Sequence, residues 1–148
     1  MKSVQLYTDG FCRGNPGPGG WAAILVYEGT EREFYGSEKQ TTNSRMELRA
    51  VIEGLRRLKQ PCRVSVECDS RYVVSAFNER WLEEWQANGW RRTNGRPVLN
   101  QDLWRQLLDE HAKHDVHRWT WARGHDGSAH TERCRRLALD GSRHASKP

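Results

Sequence analysis

Apolar and polar residues alternate over Val4-Gln5-Leu6-Tyr7-Thr8, and this period of two predicts a first strand that delivers Asp9 at its end. Gly10 to Gly20, rich in glycine and proline, reads as a turn, and Trp21 to Tyr27 as a second strand. Glu28 to Glu31 turns the chain into a third strand, Arg32 to Ser37, so the opening is an antiparallel meander. The period then changes. Met46, Leu48, Val51, Ile52, Leu55 and Leu58 recur at helical spacing behind a cap at Thr42-Asn43-Ser44, which puts Glu47 in the first turn. Arg63 to Cys68 predicts a strand ending at Asp69, and Ser70 starts a helix around Tyr72, Val73, Val74 and Phe77. A helix from about Gln101 to His114, a last strand from Val116 to Ala122 and a final helix from about Ala129 to Leu139 follow. Gly141 to Pro148 reads as a frayed tail.

A chain of 148 residues reads as a single domain, 1–148, able to bury roughly two thirds of the surface its unfolded form exposes. No apolar run approaches the roughly 20 residues needed to cross a bilayer, and none of suitable length follows Met1-Lys2-Ser3-Val4 to make a signal peptide, so a cytoplasmic location is expected. Cys12, Cys62, Cys68 and Cys134 are widely spaced without a C-x-x-C pair, which points to reduced, packed thiols and not to a zinc site or disulfide framework. The net charge of +5 favours a polyanionic partner without requiring one. Its distribution sharpens the hint: Gly89 to Arg96 carries Arg91, Arg92 and Arg96 with no acid, and arginine suits bidentate phosphate contacts.

The candidate chemistry lies in three acids in different segments, within Thr8-Asp9-Gly10, Asn43-Ser44-Arg45-Met46-Glu47-Leu48 and Cys68-Asp69-Ser70. Strand-end carboxylates beside helix starts are where open α/β sheets place their sites. Hydrolysis of a phosphodiester needs an activated water, shielding of the phosphoryl charge and stabilisation of the leaving oxygen, and a pair of Mg²⁺ ions roughly 4 Å apart supplies all of these. A few carboxylates plus a substrate phosphate suffice to hold such ions. On spacing alone the plainer reading stands beside this one: Asp before Gly is a common turn, and Glu near a helix start favours the dipole.

The surroundings of those acids tip the balance. Tyr7-Thr8-Asp9-Gly10, Gly14-Asn15-Pro16-Gly17-Pro18-Gly19-Gly20-Trp21, Thr41-Thr42-Asn43-Ser44-Arg45-Met46-Glu47-Leu48, Asp69-Ser70-Arg71-Tyr72-Val73, Asn100-Gln101-Asp102-Leu103-Trp104 and Gly124-His125 resemble type 1 ribonuclease H in order and spacing, over residues from about 4 to 140. The resemblance implies an α/β fold of the ribonuclease H-like kind: a five-stranded mixed sheet, antiparallel then parallel, flanked by helices. It implies endonucleolytic hydrolysis of the RNA strand of an RNA/DNA hybrid, leaving 5′-phosphate and 3′-hydroxyl ends, with Mg²⁺ in a two-ion site or with Mn²⁺, and no required protein partner. By position, Asp9, Glu47 and Asp69 resemble the metal ligands and His125 the loop histidine of proton transfer or product release. Asn15, Asn43 and Ser44 fall where the family meets the RNA strand, and Thr42 and Arg45 where a DNA phosphate is held. Trp81, Arg91 and Arg92 belong to a stretch resembling the family's basic protrusion, Trp81 matching an aromatic that packs on deoxyribose. Trp85 and Trp90 read by default as core.

One position departs from the pattern. The family's fourth carboxylate falls on Arg135, and Thr131 replaces an asparagine typical of that helix. A guanidinium stays protonated and cannot ligate Mg²⁺; it is expected to pair with Asp9 or Asp69. Three outcomes follow: the remaining acids suffice; Asp126, Glu132 or Asp140 compensates; or cleavage is lost and a hybrid-binding module remains.

Overall fold

The computed structural model of the chain describes residues 1–122 and 127–147. Its elements are β1 (Lys2–Cys12), β2 (Gly17–Tyr27), β3 (Thr30–Thr41), α1 (Asn43–Arg56), β4 (Cys62–Cys68), α2 (Arg71–Asn78), α3 (Trp81–Ala87), α4 (Gln101–His111), β5 (Asp115–Trp121) and α5 (Ala129–Ala145). The strands form a five-stranded mixed sheet in the order β3-β2-β1-β4-β5, with β2 antiparallel to both β1 and β3, β4 paired in parallel with β1 and β5 in parallel with β4.

The alternation in β1 sorts its side chains between two layers. Val4 and Leu6, with Val64 and Val66 of β4, bury into the main core beside Leu48, Val51, Ile52 and Leu55 of α1 and Leu103, Trp104 and Leu107 of α4. Each such side chain contributes about 1.5–3 kcal/mol by leaving water. On the other face Tyr7 packs with Ala22 and Ile24 of β2 against Cys134 and Leu137 of α5. Asp9 and Asp69 therefore share the α5 parity of Tyr7 and Glu67, while Glu47 comes from the opposite layer.

Several predicted boundaries move. The turn expected from Gly10 to Gly20 shrinks to residues 13–16, because the hairpin continues through Gly10↔Trp21, Phe11↔Gly20 and Cys12↔Gly19. The third strand runs to Thr41 instead of ending at Ser37, and α4 ends at His111. Helix α1 starts at Asn43, with Thr42 as N-cap accepting the Arg45 N–H at 3.3 Å, so Glu47 lies in the second turn. The largest correction concerns the C-terminus. Gly141 to Pro148 was expected as a tail, yet α5 continues to Ala145 and Ser142 is fully buried. Gly141 ends nothing: it is where the helix touches the sheet, since a Cβ there would sit 2.9 Å from the Gly36 carbonyl oxygen and 3.2 Å from the Gly20 Cα.

Candidate active site

Asp9, Glu47 and Asp69 line one pocket of about 280 Å³ with Gly10, Phe11, Asn43, Arg135 and Leu139. Three local features bring them together. Gly10 lets β1 lie directly against α1, where a Cβ would fall 2.4 Å from the Glu47 nitrogen, so the residue after Asp9 has to lack a side chain for Glu47 to approach. Ser70 closes the second side. Its hydroxyl accepts the Val73 N–H at 3.2 Å to cap α2, fixing the strand end that carries Asp69, and it also hydrogen-bonds Glu47. The third feature is the anchoring of α5. Ser128 caps that helix and donates its hydroxyl to Glu67 at 2.8 Å, and Thr131 bonds the same carboxylate. Because Glu67 and Asp69 share a strand face, and Thr131 and Arg135 lie one turn apart on a helix face, this anchor sets Arg135 over Asp69.

Arg135 donates through Nη2 to Asp69 Oδ2 at 2.9 Å and through Nη1 to Glu132 Oε1 at 3.3 Å, and its Nε stands 3.9 Å from Asp9 Oδ2. Its pKa is raised, first by the hydrogen bond with Asp69. The pairing expected for a guanidinium at this position is thus the one adopted. Burial pushes the Asp9 carboxyl up to about 7, aided by the negative charge of Asp69 and opposed by the Gly10 N–H, which donates to Oδ1 at 2.8 Å. Burial likewise raises Glu47 to about 8, against the hydrogen bonds from Ser70 and Asn43. Two carboxyls that burial makes reluctant to ionise offer oxygen donors of the kind a hard divalent ion such as Mg²⁺ or Mn²⁺ takes. The set is short in number: among the described residues no three His, Cys, Asp or Glu side chains are placed to hold a metal ion. A substrate phosphate is the ordinary source of the missing oxygens.

Of the acids weighed as substitutes, the two among the described residues do not take the fourth place. Glu132 is engaged with Arg135, and exposed Asp140 receives Arg143 at 3.4 Å. His125 and Asp126 lie outside the described residues.

Around the pocket the other predicted contacts fall into two groups. Asn15 Oδ1 accepts the Asn43 N–H at 3.0 Å, and Asn43 Oδ1 accepts the Cys12 N–H at 3.2 Å, tying the β1–β2 turn to the start of α1 beside the carboxylates. Ser44 is half-buried on the same turn, and Thr42 caps it. Arg45, considered for a phosphate, is forked onto Asp102 at 2.9 and 2.7 Å. In the second group Trp81, Glu84, Trp85, Asn88, Arg91, Arg92 and Thr93 line a separate hollow of about 280 Å³. Trp90 is buried in the core, while Trp81 and Trp85 are both half-buried, packed against that core on one side, Trp85 edge-on to Trp104, and open to the hollow on the other. Arg91 donates to the Gly95 carbonyl at 3.0 Å and is otherwise exposed. Sequence reasoning assigned neither Ser70 to the support of Glu47 nor Leu139 to the pocket lining; the Asp-Ser step at a strand end was the available signal for the first, and an apolar residue near the end of a helix carries none for the second.

Comparison with known proteins shows the family and the fold. The RNase H family model matches residues 1–143. Ribonuclease H of Thermoanaerobacter sp. (strain X514) is 53% identical over 137 residues, covering 93% of this chain and 88% of the relative. The crystal structure of LC9-RNase H1, described as a type 1 RNase H with the type 2 active-site motif, superposes with a TM-score of 0.86 at 34% identity, covering 98% of this chain and 74% of that one. LC11-RNase H1, crystallised in complex with RNA/DNA hybrid, shares the fold with a TM-score of 0.69 at 21% identity, covering 97% of this chain and 99% of that one.

Proposed function

The chain belongs to the ribonuclease H family of endoribonucleases, and from that premise we propose that it hydrolyses the RNA strand of RNA/DNA hybrids, leaving 5′-phosphate and 3′-hydroxyl ends. The observation that carries the reading is the convergence of Asp9, Glu47 and Asp69 on one pocket beside the Asn15–Asn43 link. LC11-RNase H1, which shares the fold, was itself crystallised with RNA/DNA hybrid.

Asp9, Glu47 and Asp69 would hold the divalent metal, Mg²⁺ or Mn²⁺. When bound, such an ion supplies an activated water and shields the phosphoryl charge. Asn15, Asn43 and Ser44 would receive the RNA strand, where 2′-hydroxyls offer both donor and acceptor. Thr42, at a helix N-terminus, would meet a phosphate of the DNA strand, and Trp81, Arg91 and Arg92 would grip that strand further along. His125 is the candidate for proton transfer. We read residues 1–148 as one such unit acting without a protein partner, in the cytoplasm; among the described residues no helix is long and apolar enough to cross a membrane, and the four cysteines are free and buried.

The Arg135–Asp69 pair favours a second reading, a module that binds hybrid and cuts poorly or not at all. One experiment separates the two: incubation of an end-labelled hybrid with the unaltered chain, Asp69→Asn and Arg135→Asp, in Mg²⁺ and in Mn²⁺. The enzyme reading expects cleavage by the unaltered chain that falls at least about 100-fold in Asp69→Asn. Cleavage only after Arg135→Asp would establish the binding module instead.

A further inference from the structure

A permanent positive charge stands inside the carboxylate pocket, and its nitrogens are distributed over the acids in a specific way. Asp9 commits Oδ1 to the Gly10 N–H and turns Oδ2 toward Arg135 Nε at 3.9 Å. Asp69 commits Oδ2 to Nη2 at 2.9 Å. Glu132 takes Nη1 at 3.3 Å but, 38% exposed, does not line the pocket. Glu47, on the opposite wall, is hydrogen-bonded by Ser70 and Asn43 and receives none of these guanidinium contacts. The guanidinium thus lies on the Asp9–Asp69 side, while the Glu47 side is left to neutral donors.

Resting on the reading of this pocket as the hybrid-cleaving site, we propose that Arg135 is a fixed internal cation that takes the place of one of two divalent ions, so that the site uses a single exchangeable ion on its Glu47 side. Formal charge points the same way. With Asp9, Glu47 and Asp69 ionised, as ligation requires, the acids of the lining carry −3; Arg135 brings this to −2, where a carboxylate at 135 would make it −4. Substrate phosphate adds the same charge to either site, so the guanidinium accounts for two negative charges, the equivalent of one divalent ion. A guanidinium is always charged and is held here by the α5 anchor at Glu67, so this cation cannot be diluted away as a bound metal can. Arg135 is a positioning residue in this scheme: it holds Asp69 and neutralises charge, while activation of the water would be left to the exchangeable ion.

The test is a count of bound Mn²⁺, read from the electron paramagnetic resonance of the free ion, in complexes with a hybrid whose RNA carries methylene in place of each bridging 3′-oxygen. One ion per complex for the unaltered chain and two for Arg135→Asp support the proposal. Two in the unaltered chain, or one in both, overturn it. A second measurement covers the case in which Arg135→Asp folds poorly: Arg135→Gln removes the charge without adding a carboxylate, and should bind Mn²⁺ roughly tenfold or more tightly than the unaltered chain in the absence of hybrid. Unchanged affinity overturns the proposal. Fluorescence anisotropy on the same samples keeps the premise separate, since failure to bind the hybrid refutes the hybrid reading while the Arg135→Gln comparison still decides the role of Arg135.

Discussion

At the scale of single residues, the acids of the site were legible through the resemblance of their surroundings to type 1 ribonuclease H, and the structure gives the flanking residues physical roles: Gly10 for the approach of α1, the Thr42 cap ahead of Glu47, and Ser70 capping the helix after Asp69. Side-chain pairing over long sequence separations was not legible. Arg45 looked available to phosphate, yet its fork is closed on Asp102, 57 residues away, and nothing near either residue announces the partner. That pair also gives the molecule a measurable acid response. The hydrogen bond from Arg45 holds the Asp102 carboxyl down at about 2. A folded-state pKa below the unfolded one means that the pair stabilises the fold above the ordinary carboxylate pKa and that this contribution fades as pH falls toward about 2. Asp102 is 59% exposed, so the magnitude is that of a surface pair, below about 1 kcal/mol. Asp102→Asn should therefore lower the denaturation midpoint slightly at pH 6 and by clearly less at pH 2, where the carboxyl is about half protonated in the folded chain. A gap of equal size at both pH values would assign the effect to something other than the charge.

At the scale of elements, period and caps located all five strands and the helices of the layers, and they failed where tertiary contact overrides local signals. Gly141 has the form of a helix terminator, because a glycine inside a helix ordinarily costs about 1 kcal/mol against alanine. Here α5 instead passes through it, since only a bare Cα lets the helix close on Gly20 and Gly36. The last turn is consequently structural: Ser142 is buried, donates its hydroxyl to the Leu139 carbonyl at 2.7 Å and accepts from Arg13 Nε at 3.3 Å. Leu139 lines the carboxylate pocket one turn before, so the contact that extends the helix also shapes that pocket. Gly141→Leu should destabilise the fold by about 1–3 kcal/mol or more through overpacking against backbone that cannot retreat. Urea denaturation with an unchanged slope and a lower midpoint is the expected result. A midpoint equal to that of the unaltered chain would mean that the segment after Asp140 does not pack in solution.

At the scale of the whole molecule, the count of basic residues overstates the charge available to a polyanion. The sequence supplies +5, but it does not show which arginines are spent internally, because that depends on which elements the sheet brings together. Arg49, Arg56 and Arg57 converge on Glu53, Arg133 is held by Glu31 and Glu33, Arg45 by Asp102, and Arg135 by Asp69. Near the hollow of the protrusion Arg91 and Arg92 are the basic side chains lining the surface, with Glu84 beside them. Each phosphate neutralised contributes about 0.9 to the slope of log affinity against log salt on duplex DNA. A grip confined to a few arginines and the neutral donors around Asn15 and Thr42 should give a shallow dependence, equivalent to fewer than about six contacts, or a slope below about 5. Anisotropy of a labelled hybrid with the Asp69→Asn protein across a series of potassium chloride concentrations measures it. Arg91→Gln should lower that slope by about one contact while leaving the denaturation midpoint close to its original value, since Arg91 is exposed and its described hydrogen bond is local, to Gly95. A steeper slope than six contacts would require the internally paired arginines to exchange their carboxylates for phosphates on binding, which would make the hybrid a competitor for the ion pairs that now join α1 to α4 and α5 to β3.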